Sequence, residues 1–377
     1  MKEGWKTNLL LKVCKVYQPQ TIATSKLIPG APYDVFGANG CIGKYDQYNH
    51  EEDEILLTCR GATCGNINRS TPKSWINGNA MVVHPISDNI IKDFLMYALK
   101  SIDFSKVITG AAQPQITRVS LASVTIPIPP LPEQERIVSL LDAEFAKIDA
   151  IKANAEKQYG DTMALYKSAL KDLLTPADDW KDSIINDVID HGSNISYGIV
   201  QPGDNLTEGV PVVRPVDLML NETLTSTKHF KKTSESISQA YSRTILNGKE
   251  ILMCVRGTTG VVSLSSTVLK GCNVTRGIVP FKISDDILRK FIFYTFQAPI
   301  AFDFIQQYTQ GAALKQINIK DVKNIPISLP PSKSDIENIV NRLDAISHLC
   351  YKLKSNYFTT VTLCNDLKQS ILKDIFG

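Results

Sequence analysis

The chain repeats itself, and the repeat restricts its fold before any single motif is considered. Trp5-Lys6 recurs as Trp180-Lys181, and each pair opens a mixed segment rich in β-branched residues. Within these segments Cys59-Arg60-Gly61 answers Val255-Arg256-Gly257, each after an apolar run and each followed by a further glycine, Gly65 or Gly260. Thr109-Gly110-Ala111-Ala112 with Gln115-Ile116 matches Gln310-Gly311-Ala312-Ala313 with Gln316-Ile317. Both segments close on a Pro-rich extended stretch, residues 126–132 and 325–331.

After each Pro-rich stretch the copies align without a gap. Glu135, Ile137, Leu141 and Asp142 answer Glu337, Ile339, Leu343 and Asp344, and at the far end Ser168, Leu170 and Lys171 answer Ser370, Leu372 and Lys373. A packed helix must hold its length, and a loop need not. Apolar residues step by threes and fours through Ile137, Leu141, Phe145, Ile148, Ile151, Ala155, Tyr159, Met163, Tyr166, Leu170 and Leu173 in the first copy. In the second they step through Ile339, Leu343, Ile346, Leu349, Leu353, Tyr357, Val361, Cys364, Leu367, Ile371 and Ile375. One stripe per helix predicts a two-helix coiled coil, and forty residues of helix are roughly 60 Å long. Such a rod suits a spacer better than a staple inside one domain, because its scale is that of one to two turns of B-DNA at about 34 Å each.

The predicted layout is domain 1–130, long helix 131–175, domain 176–330 and long helix 331–377. The domains alternate short apolar strands (81–83, 210–213, 261–262, 278–279) with Gly/Asn/Asp turns. Each has one amphipathic helix, near residues 91–99 and 287–296, so the fold class is α+β with mixed, twisted sheets.

Of 377 residues 43% are hydrophobic, enough to build cores and to exclude disorder as the main description. Lys and Arg number 41 against 38 Asp and Glu, a net charge of +3 that is small for a non-specific polyanion binder. A nucleic-acid site must then be local or completed by another subunit. The eight cysteines form no C-x-x-C and read as reduced thiols, and residues 9–11 are too short an apolar run for a signal segment. No stretch approaches a membrane span, and the expected location is the cytoplasm.

Catalytic signatures are missing. There is no G-x-x-x-x-G-K-[ST] loop; Gly37, Gly40 and Gly43 have the wrong spacing for a dinucleotide fingerprint; Ala31-Pro32-Tyr33 lacks the polar residue an amino-methyltransferase motif requires. His50, His84, His191, His229 and His348 are scattered, with no metal-ligand spacing. Polar and aromatic clusters on the Gly-rich turns remain. The first domain offers Tyr33, Asn39, Lys44, Arg60, Arg69 and Lys73 as DNA-binding candidates. The second offers Tyr197, Gln201, Arg214, Lys228, Lys231, Lys232, Arg256 and Arg276. Arg, Asn and Gln suit base edges and Lys suits phosphates, although any one of these side chains could be ordinary solvated surface. Arg60 and Arg256 stand out because they recur at the same place in both copies; they could also pin a turn beside Gly61 and Gly257.

The run Ile128-Pro-Pro-Leu-Pro-Glu-Gln-Glu-Arg-Ile-Val-Ser-Leu-Leu-Asp142 leads into the first long helix. With two domains each followed by such a helix, and the 109–116 stretch, it resembles the specificity subunits of Type I restriction-modification systems. The second copy departs from the box, with Ser332-Lys333-Ser334-Asp335 in its place. The resemblance implies a non-catalytic subunit with two target recognition domains in pseudo-two-fold arrangement about an antiparallel helix pair. Each domain would read half of a bipartite site in double-stranded DNA. It further implies two methyltransferase subunits carrying S-adenosylmethionine and two motor-nuclease subunits using ATP and Mg. Near-identical helix copies suit two equal partners, which makes Glu133, Glu135, Asp142, Glu337 and Asp344 the partner-binding candidates. The rival readings are a stand-alone sequence-specific DNA-binding regulator and an enzyme acting on DNA alone.

Overall fold

The computed structural model describes residues 4–110, 113–218, 222–311 and 315–377; Ala111, Ala112, Ala312 and Ala313 of the repeated motif lie outside them. The chain forms two compact units, Met1–Glu156 with Tyr357–Gly377, and Lys157–Asn356.

In the first unit Lys6–Leu9 pairs antiparallel with Thr125–Ile128, so the Pro-rich stretch returns to the segment that Trp5 opens. Pro127 sits opposite Thr7. A proline donates no ladder hydrogen bond, which suits a two-stranded ribbon. Next comes an antiparallel sheet in the order Cys14–Tyr17, Ala80–Pro85, Ile55–Thr58, Ile67–Arg69. Side chains alternate across it: Ile55, Leu57, Met81 and Val83 pack with Leu95 and Leu99 of the helix Lys92–Lys100, while Leu56 and Val82 face Phe36 and Ile76. Burial of both faces explains the unbroken apolar run. A smaller sheet holds Gly40–Tyr45, Tyr33–Gly37 and Trp75–Ile76, the last pair parallel.

The second unit repeats the plan. Lys181–Ile184 pairs with Pro326–Leu329; a four-stranded sheet runs Glu222–Thr223, Val262–Leu264, Glu250–Cys254, Ile278–Lys282; a three-stranded one runs Lys231–Thr233, Val210–Val213, Asn273–Val274. The helix Asp286–Thr295 starts where the Asp285 carboxylate accepts from the amides of Ile287 and Leu288. One addition was not anticipated: a second helix, Pro299–Gln307, opened by a proline whose missing N–H costs nothing in a first turn. The repeat extends to side-chain pairs. Trp5 meets Phe94 edge-on at 6.4 Å in the first unit, and Trp180 meets Phe291 at 6.0 Å in the second.

The long helices run Leu131–Leu174 and Lys333–Phe376, and each lends one end to each unit. In the second unit Cys350 donates weakly to the Thr162 carbonyl, and Leu170 and Leu174 share a core with Val340 and Leu343, so the segments run antiparallel. In the first, Ile137, Leu141, Phe145 and Ile148 share a core with Cys364 and Leu372. The expected stripe needs correction in the second helix. Leu349, Leu353 and Leu367 are exposed, and Val340, Cys350 and Leu372 are buried one or more positions away; Ile151 in the first helix is 53% exposed. The reason is tertiary: the buried face is set by the sheet and short helix each end packs on, and it drifts from a strict heptad line.

The helix starts also differ. Gln134 is fully buried: its Oε1 accepts from Ile91 N at 2.9 Å and its Nε2 donates to Asn89 O and Pro129 O at 2.8 and 2.9 Å. In the second copy, Ser332 and Asp335 close a reciprocal cap, Ser332 Oγ accepting from Asp335 N and donating to its carboxylate at 2.6 Å. The departure from the box therefore exchanges a buried tether between the helix start and residues 89–91 for a local side-chain cap.

Candidate nucleic-acid interface

The matched motifs meet. After Ile55–Thr58, Cys59 accepts from Ile116 N at 3.0 Å, Gly61 N donates to Pro114 O at 3.0 Å, and Arg60 bridges Gln115. In the second unit Val255 accepts from Ile317 N at 3.0 Å, Gly257 N donates to Lys315 O at 2.8 Å, and Arg256 bridges Gln316. Thr109 exchanges two backbone hydrogen bonds with Gln115, as Gln310 does with Gln316. Each unit thus has an Arg-Gly turn clamped by a closed loop. Gly61 and Gly257 have φ of +90° and +91°, with nothing within 4 Å of an added Cβ, so glycine is there for backbone conformation and not for space.

Around these braces the other candidates divide. Several cations already hold acids: Lys44 holds Asp34 at 2.8 Å, Arg69 holds Asp53 at 2.6 Å and also Asp93, and Lys73 lies 3.5 Å from Glu51. Arg214 clamps Asp217 with two guanidinium nitrogens at 2.8 and 2.9 Å. The Lys44 hydrogen bond holds the Asp34 carboxyl below its usual range. Lys232 donates to the Thr207 carbonyl at 2.9 Å. Arg60, Lys228, Lys231 and Arg276 are exposed, as is Gln201. Arg256 is half-buried, and its Nε is buried with no hydrogen-bond partner among the described residues.

Tyr33 packs edge-on against Tyr48 at 4.9 Å; Asn39, at the hairpin tip, accepts from Asn66 and Asn68 at 3.2 and 3.4 Å. The Tyr197 hydroxyl accepts from Ile319 N at 3.2 Å, tying its loop to the chain beyond the second brace. Among the partner candidates Glu133 pairs with Arg136, Asp142 with Tyr97, and Asp344 with Tyr294 and Lys290; Glu135 and Glu337 are exposed.

Gln18, Gln115 and Arg118, outside the sequence-predicted set, lie around Arg60. Gln115 carried a signal, since it recurs as Gln316. Arg118 carried none: three residues past Gln115, it is answered three residues past Gln316 by Ile319. Among the described residues no group of three His, Cys, Asp or Glu side chains comes together as a metal site, and no helix is long and apolar enough to cross a membrane.

Comparison with known proteins places this geometry. A family model described as the Type I restriction modification DNA specificity domain matches residues 2–158 and 177–359. The Type I restriction enzyme EcoBI specificity subunit of Escherichia coli is 26% identical over 284 residues, 68% of this chain and 58% of that protein. This chain therefore spans less than two thirds of that relative's length. The putative type I restriction enzyme MjaX specificity subunit of Methanocaldococcus jannaschii is 25% identical over 305 residues, 74% of this chain and 67% of that protein. In structure, a chain solved in work on complex assembly and conformational transition of the type I R-M system superposes with a TM-score of 0.66 at 18% identity. The match covers 98% of this chain and 97% of that one, and it shows a shared fold.

Proposed function

Because the chain belongs to the Type I restriction modification DNA specificity family, we propose that it supplies the target sequence for such a complex, each unit binding one half of a bipartite site in double-stranded DNA. The observation that carries this reading is the duplicated Arg-Gly brace, which presents Arg60 and Arg256 at equivalent positions in two separately folded units. Two equal readers need an equal scaffold.

The chain itself is non-catalytic in this reading, and it acts in the cytoplasm. Two methyltransferase subunits bring S-adenosylmethionine, and two motor-nuclease subunits bring ATP and Mg. A net charge of +3 supports shared DNA binding, since phosphate neutralisation supplies most non-specific affinity and the partners would provide the rest. Large apolar side chains left in solvent support partners docked on the long helices: Leu363 and Leu367 in the first unit are 61% and 50% exposed, and Leu349 in the second is 54% exposed. Glu135 and Glu337 give those docking faces equal charges. The helices also set the spacer between half-sites.

The test is a domain exchange. Replacing residues 1–130 by the corresponding segment of a relative, then sequencing the methylome of cells carrying the matching methyltransferase, should change one half of the methylated sequence and leave the other intact. A change in both halves, or in neither, overturns the reading.

A further inference from the structure

Beside the Arg60 turn, the first unit opens a cavity of about 240 Å³. Tyr17, Gln18, Arg60, Gln115, Thr117 and Arg118 supply its polar lining, over an apolar floor where Val16 and Ile116 are each 2% exposed. The volume falls below the roughly 300–1,000 Å³ of sites that enclose whole small-molecule ligands. It suits a fragment of a larger partner.

The lining is preorganised. Gln18 Nε2 donates to Gly78 O at 2.9 Å and to Cys59 Sγ at 3.3 Å, which fixes its amide at the edge of the brace. Thr117 and Ser120 exchange three hydrogen bonds, Thr117 N to Ser120 Oγ, Ser120 N to Thr117 Oγ1 and Ser120 Oγ to Thr117 O, which hold the turn that carries Arg118. Arg60 bridges Gln115 through the backbone.

Charge selects the ligand. No residue lining the cavity is acidic, and among the described residues neither Arg60 nor Arg118 holds a carboxylate. Lys44, Arg69, Lys73 and Arg214 all do. An acceptor reaching Arg60 or Arg118 breaks no ion pair, whereas one reaching any of those four must. Two guanidinium forks beside two amides form a donor-rich lining that matches oxygen and ring-nitrogen acceptors. An independent observation comes from the second unit, where Arg256 on the equivalent turn keeps a buried Nε with no partner among the described residues. Buried donors of this kind are ordinarily satisfied.

We propose that this cavity, through Arg60 and Arg118, binds an acceptor-rich nucleotide group of the target duplex, either a backbone phosphate or the O6/N7 edge of a guanine. The assignment rests on the DNA-specificity reading above and names where the first unit makes its contact. Arg118 becomes a DNA-contacting residue with no counterpart in the second unit, so the two readers differ in chemistry as well as in sequence.

The experiment uses the full chain, co-produced with its methyltransferase, and a random-sequence duplex library with fixed flanks. Selected and scrambled duplexes are then compared for wild type, Arg118→Ala, Arg118→Lys and Arg60→Gln at two salt concentrations, with circular dichroism confirming folding. The expected result is at least a tenfold loss of affinity for the selected duplex in Arg118→Ala and Arg60→Gln. A phosphate contact weakens all duplexes alike, makes the salt slope shallower by about one, and is rescued by Lys. A guanine contact weakens only selected duplexes, relaxes one base position, and is not rescued. Wild-type affinity in both Arg60→Gln and Arg118→Ala overturns the cavity assignment while leaving the family function standing. A wild-type complex that selects no sequence overturns both.

Discussion

Tyr97 donates its phenolic hydroxyl to the Asp142 carboxylate at 2.5 Å. In the second unit Tyr294 does the same to Asp344 at 2.7 Å, with Lys290 on the other oxygen at 2.6 Å. Tyr97 sits on the helix Lys92–Lys100 and Tyr294 on its counterpart Asp286–Thr295, and burial, followed by the carboxylate, pushes both hydroxyls above the ordinary phenol range. The recurring pair fixes the rotation of each long helix about its axis. Tyr97→Phe and Tyr294→Phe should each cost about 1–2 kcal/mol by urea denaturation, the lower part of the range for bonds to charged acceptors because Asp142 is exposed and can turn to water. Loss of less than half a kcal/mol in both would mean that the apolar contacts alone set the rotation.

Gln134 should be the most sensitive residue of its box. Gln134→Ala leaves the Ile91 amide and the Asn89 and Pro129 carbonyls without their partner in a buried place, a penalty of about 2–4 kcal/mol. Glu135→Ala, on the exposed face, should stay within about 0.5 kcal/mol. Thermal melts of the two variants side by side decide it.

Backbone conformation makes Gly61→Ala a clean probe of the brace. Its φ of +90° with open space around an added Cβ confines the cost to roughly 1–2 kcal/mol of backbone strain, with no clash. The same substitution at Gly257 should cost about the same, at φ +91°. A markedly larger loss at either site, measured by chemical denaturation, would reveal a contact beyond the backbone.

Acid should weaken the first unit through His50. Burial lowers the His50 pKa, against an opposing attraction to Glu54, and its nitrogens already serve Tyr17 and Asn49 at 2.9 and 2.6 Å. With the folded value below the unfolded 6.5, the unfolded state binds the proton first. Stability is then complete above pH 6.5 and falls as the pH drops below it. His50→Gln should flatten that slope between pH 6.5 and 5 in the melting temperature, and an unchanged slope would assign the acid sensitivity to other groups.

Partner docking on the helices predicts that charge reversal at Glu135 together with Glu337 abolishes co-purification with the methyltransferase subunit while circular dichroism stays the same. Both carboxylates are exposed, so the fold tolerates the change. Intact co-purification would move the interface elsewhere.

By itself the sequence determined the duplication, the two long helices to within two residues, the short helix of each unit and the turn motifs, because periodicity, glycine and proline act locally and twice over. It also singled out Arg60 and Arg256, since the same residue at the same place in two copies is a signal no single copy carries. Only the tertiary structure decided that the Arg-Gly turn and the Gln-Ile segment, 55 and 60 residues apart along the chain in the two units, clamp one another. It alone showed that Lys44, Arg69, Lys73 and Arg214 are held by acids while Arg118, among the described residues, is not. It also moved the buried line of the second helix off Leu349 and Leu367 onto Cys350 and Leu372. The reason is common to all three: hydrogen-bond partners, ion pairs and the packed face of a helix depend on what long-range folding brings alongside, and no local spacing records that.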